Sequence, residues 1–80
     1  MKIPVIKELV ETHSTAALRA AEDALLDERT PAIGVPGDDE GEQLTHVLAA
    51  IWIQHYLAEH SVAFPQALRE YTKKVRVSIS

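Results

Sequence analysis

Apolar residues recur along this chain at intervals of three and four, the spacing that lines up one face of an α-helix. Val5, Ile6, Leu9 and Val10 form the first such set, with Lys7, Glu8 and Glu11 on the outside. Pro4 suits a first turn, where a missing N–H costs nothing. A helix is therefore predicted from Pro4 to Thr12. It is too short to persist alone in water, so its apolar face must dock. His13-Ser14-Thr15 breaks the pattern. The Ser14 hydroxyl is placed to cap the next helix by accepting from a free N–H. That helix, Thr15 to about Glu28, is rich in alanine and intrinsically favourable. Leu18, Ala21 and Leu25, flanked by Ala17 and Ala24, are its inner face, and Arg19 is spaced to pair with Asp23.

Arg29 to Gly37 cannot be helical throughout, because Pro31, Gly34, Pro36 and Gly37 interrupt it. Ile33 and Val35 alternate with small residues, so this Pro/Gly-rich loop is expected to lie extended and press both side chains inward. Asp39 followed by Glu42 has the form of a capping box, and Asp38 to Glu42 places acids at the positive end of a helix dipole. The third helix should run on to His60. Its segment Val47-Leu48-Ala49-Ala50-Ile51-Trp52-Ile53 is apolar on nearly every side, and such a helix is buried all round. Three partner helices in so short a chain leave it incompletely surrounded, which implies a second subunit. Leu44, Leu48, Ile51 and His55 are assigned to the chain's own helices, and Ala49, Trp52, Ile53 and Tyr56 to a subunit interface. After Ser61-Val62-Ala63, Pro65 opens a last helix with the stripe Phe64, Leu68, Tyr71, Val75 and Ile79.

The expected fold is all-α: a compact four-helix domain spanning residues 1–80, with the Pro/Gly-rich loop between helices 2 and 3, assembled as a homodimer or larger homo-oligomer. Its core should hold Ile6, Leu9, Leu18, Leu25, Leu44, Val47, Leu48 and Ile51, closed by Leu68, Tyr71 and Val75. Composition reinforces the need for assembly. The chain has 80 residues and no cysteine. A domain of this size buries only about 60% of its unfolded surface, and no disulfide can help. The same absence excludes thiol catalysis, zinc ribbons and iron–sulfur clusters built from this chain. The N-terminal apolar stretch is too short and too charged for a signal peptide. The run Val47–Ile53 falls far below a membrane span of roughly 20 residues. A cytoplasmic protein is expected, and its net charge of −4 opposes nonspecific contact with nucleic acid or anionic lipid.

Candidate chemistry is sparse. Glu42 and His46 lie one helical turn apart and could supply two ligands to a divalent metal. No HExxH pattern completes the set, and helix capping already accounts for the acids. His55 and Glu59 repeat the spacing, as interface or surface groups. Ser14, Ser61, Ser78 and Ser80 sit at helix ends or in the tail, without a nucleophile-elbow context. No glycine-rich phosphate loop is present, so neither enzymatic activity nor a cofactor is expected. Lys73, Lys74 and Arg76 give the last helix a basic end, the basis of a weak nucleic-acid alternative. Trp52 and Tyr56, one turn apart, read as a core or interface pair.

Three stretches carry a resemblance: Met1 to Glu11, Asp39 to Trp52 (DEGEQLTHVLAAIW) and Ala67 to Arg76 (ALREYTKKVR). Together they resemble a family of short, uncharacterised bacterial proteins. The resemblance covers nearly the whole chain and implies a complete domain. It supplies no catalytic residues. It also implies a setting beside peroxiredoxin- and thioredoxin-like genes, where a cysteine-free helical protein would serve as accessory or partner to thiol-redox proteins. The function expected is protein–protein contact by an oligomeric accessory or scaffold module. Metal or small-ligand binding through Glu42 and His46 is the alternative.

Overall fold

Helix α1 (Ile3–Thr12) begins with proline in its first turn, and α2 (Thr15–Leu26) begins where Ser14 Oγ accepts from the Ala17 N–H at 3.1 Å. Helix α3 (Glu40–His60) starts under Asp39, whose Oδ1 accepts from the Glu42 N–H at 2.7 Å, and α4 (Phe64–Ile79) completes the order. This computed structural model describes residues 2–79, with side-chain surroundings up to residue 75. No strand occurs among the described residues. Ser78, Ser80, Arg76 and Ile79 therefore have no described side-chain surroundings.

Two helices stop through backbone geometry rather than glycine. α2 ends at Leu26, short of the expected Glu28, because Glu28 turns left-handed with φ 58°. The Arg29 N–H then reaches back to the Ala24 carbonyl at 2.7 Å and the Glu28 N–H to Leu25 at 3.1 Å. This double bond pattern satisfies carbonyls that a helix end leaves open. α3 also meets a left-handed residue at its end, Ser61 with φ 52° and ψ 46°, whose N–H donates to the Leu57 carbonyl at 3.0 Å.

α3 is the axis of the molecule and packs against each of the other three helices. Ile6 and Leu9 from α1, Leu18, Ala21 and Leu25 from α2, and Ala67 from α4 close on Val47, Ala49, Ala50, Ile51 and Ile53. Val35 adds the loop's contribution, and Ile33 packs against the same cluster. Gly37 lets the loop pass close to α3, since a Cβ there would meet the Gln43 backbone nitrogen at 2.9 Å. The fold is compact, with a radius of gyration of 12.2 Å, and only 19 Å deep along its shortest axis. That depth is about two helix layers.

This packing corrects several expectations. The chain covers most of its own apolar segment, because alanines at 21, 49, 50 and 67 admit close helix approach and Val35 fills a remaining gap. Ala49 and Ile53, assigned to a subunit interface, are fully buried within the chain and reach no surface. Leu48, assigned to the core, is 40% exposed. Leu44, Leu68, Tyr71 and Val75 are half-buried rather than enclosed. The open side of α3 thus carries Leu48 and His55 with Trp52 and Tyr56, a division different from the expected one.

Candidate functional site

A polar lock and an open aromatic face

The side chains that cross α3 fall into two groups on different faces. The first is internal. His46 is fully buried, and its Nδ1 lies 2.8 Å from the Pro36 carbonyl oxygen. A carbonyl only accepts, so Nδ1 carries the hydrogen. Nε2 accordingly accepts the Lys2 backbone N–H at 2.9 Å. One turn earlier, Gln43 Nε2 donates to the Val35 carbonyl at 2.8 Å. Farther along, Gln54 Nε2 donates to the carbonyls of His13 at 2.7 Å and Val10 at 3.2 Å, while its Oε1 accepts from Thr15 Oγ1 at 2.6 Å. These three side chains tie α3 to the N-terminal turn, the long loop and the α1–α2 junction. No buried side-chain polar atom among the described residues lacks a partner.

Glu42 and His46 are brought together, with Glu42 Oε1 3.7 Å from His46 Nε2. Both imidazole nitrogens nevertheless serve backbone groups, which leaves no lone pair aimed at a metal. Among the described residues, no three metal-binding side chains cluster. The glutamate also does not complete the capping box, since its carboxylate turns along the helix toward His46. Ser14 and Ser61 occupy helix ends.

The second group faces outward. A groove of about 460 Å³ runs along α3, floored by Leu48, Ile51, Trp52 and Tyr56. Arg19 and Glu22 from α2 edge it, together with His55 and Glu59. Arg19 does not pair with Asp23. Its Nη2 crosses to His55 Nε2 at 3.0 Å, so the guanidinium donates and the imidazole accepts. Trp52 stacks on Tyr56, with ring centroids 5.2 Å apart and an angle of 18°. It also meets Tyr71 at 5.5 Å and 55°, and Tyr56 continues to His60 at 4.1 Å. Burial raises the pKa of the Tyr71 phenol, because the phenolate would lose water. Stacking of this kind holds large side chains in fixed positions at the surface.

Sequence reasoning found Trp52 and Tyr56 but not Arg19, His55 or Tyr71 as their neighbours. Gln54 carried a legible signal: a polar residue directly after a seven-residue apolar run, on a helix that is mostly enclosed. No such signal marked the pairing of Arg19 with His55, which depends on how α2 crosses α3.

The chain belongs to a family of unknown function, DUF6952, whose model matches residues 1–80. This agrees with the resemblance carried by the three sequence stretches. No curated protein and no solved structure matches the chain.

Proposed function

We propose that the protein works by protein–protein contact through the open face of α3, as a cytoplasmic accessory or scaffold module with no catalysis of its own. One observation supports this most directly. Trp52 is in ring contact with both Tyr56 and Tyr71, yet is only half-buried and lines the groove with the 40% exposed Leu48. Aromatic side chains are the usual anchors of protein interfaces. Fixing them before contact lowers the ordering entropy that binding costs. The charged edge of Arg19, Glu22 and Glu59 supplies the polar rim such interfaces carry. Among the described residues, no helix is long and apolar enough to cross a membrane.

A photo-crosslinking residue placed at Leu48, in the native cell, tests this reading. Crosslinks to protein should form there and weaken in the Trp52→Glu background. The exposed Glu8 on α1 provides a control position. If Leu48 yields no more protein adducts than Glu8, the contact function is wrong.

A further inference from the structure

We propose that the α3 groove receives a second copy of this chain, docked about a two-fold axis that runs the two α3 helices antiparallel. This rests on the contact function above and names its partner. Leu48, Trp52, His55 and Glu59 are spaced by four, three and four residues, and all line the groove. That interval is the seam of one helix packed along another. Leu48 stands four residues before Trp52 and Tyr56 four residues after it. Reversal about Trp52 therefore sets Leu48 against Tyr56 of the partner subunit, apolar on apolar, and places the two tryptophans side by side.

Two of the groove's three charges obey the same symmetry. Arg19 and Glu22 are three residues apart on α2, hence on one face, and both border the groove. An axis passing between them puts Arg19 opposite Glu22 of the partner subunit, and the symmetry makes that pair twice. Glu59, seven residues after Trp52, falls opposite the uncharged Thr45 of the partner subunit, so an apolar centre with the reciprocal Arg19–Glu22 pair is self-complementary, as a two-fold interface requires. The bond from Arg19 to His55 at 3.0 Å holds the guanidinium at the groove before docking. A stable dimer needs roughly 800 Å² from each partner, a modest share of the 5115 Å² this chain exposes.

Sedimentation equilibrium of the full chain across micromolar concentrations tests the proposal. The wild type should sediment at twice the chain mass. Arg19→Glu and Glu22→Arg should each raise the dissociation constant at least roughly tenfold, since like charges then face each other. The double variant restores opposite charges and should return to within about threefold of wild type. A mixture of the two single variants should form the mixed dimer. Both positions are on the surface of α2, and unchanged helical circular dichroism would show that the single variants still fold. A monomeric wild type overturns the second-copy proposal. In that case, protein crosslinks at Leu48 to other chains would leave the contact function standing, and their absence would remove both. A dimer indifferent to both charge changes, or one the double variant does not rescue, overturns the antiparallel geometry.

Discussion

The Lys2 backbone N–H donates to Nε2 of His46 over 2.9 Å, joining residues 44 apart in sequence. The opposite ring nitrogen holds Pro36, so one imidazole fastens both the N-terminal turn and the long loop to the central helix. The groove is built on that same helix.

Replacing His46 with leucine keeps much of the volume but strands a carbonyl and an N–H. The expected loss is about 2–3 kcal/mol of folding stability, read from urea denaturation, because unmade buried hydrogen bonds are costly. Zinc and chelators should leave the wild-type melting temperature unchanged, since both ring nitrogens are engaged. A zinc-dependent rise in melting temperature would show that Glu42 and His46 bind metal after all.

Gly37→Ala and Gly34→Ala form a matched pair. At Gly37 a methyl group would meet the Gln43 Cγ at 2.7 Å, whereas nothing lies within 4 Å at Gly34. The first should cost about 1–3 kcal/mol, as overpacking does. The second should be neutral or slightly stabilising through the unfolded chain. Equal effects at the two positions would mean that the loop does not need its close approach to α3.

Asp39→Ala removes the acceptor for the Glu42 N–H and should destabilise the fold by about 1 kcal/mol. Thermal melts of the two proteins decide it. An unchanged midpoint would transfer the capping role to Asp38.

Glycine should be favoured at both left-handed helix ends. Glu28 and Ser61 have φ of 58° and 52°, where a Cβ is unfavourable. Glu28→Gly and Ser61→Gly should each raise stability by roughly 0.5–1 kcal/mol, net of the entropy glycine adds to the unfolded chain. Denaturation midpoints that fall in both variants would contradict the observed helix ends.

Tyr71 makes part of the fold's stability sensitive to alkaline pH. Its pKa is raised above 10.0 by burial, so the folded state holds the phenolic proton more tightly than the unfolded state does. Stability from this source is complete below pH 10.0 and declines as pH rises through the folded-state pKa. Tyr71→Phe should flatten that decline in denaturation curves taken on either side of pH 10. Phenolate absorbance should also show a tyrosine ionising later than a free one, and that late component should vanish in the variant.

The sequence by itself determined the four helices and how most of them begin, because these depend on near neighbours. A 3.6-residue repeat, Pro4 in a first turn, and Ser14 and Asp39 as caps act within a turn or two of the chain. It also determined that the Pro31 to Gly37 segment leaves the helix and that Val35 points inward. It did not determine which side of α3 stays open. Val47 to Ile53 is apolar all round, so it has no polar face by which to orient itself, and the inner and outer stripes were interchanged at Leu48, Ala49 and Ile53. Tertiary packing decided that point. Alanines at 21, 49, 50 and 67 allow close approach on one side, while Trp52 is too large to enter there and stays at the edge. The polar ties of His46 and Gln54 were likewise decided in three dimensions, because their partners are backbone groups. Every residue carries the same backbone groups, so no side-chain pattern in the sequence marks which of them a distant imidazole or amide will reach.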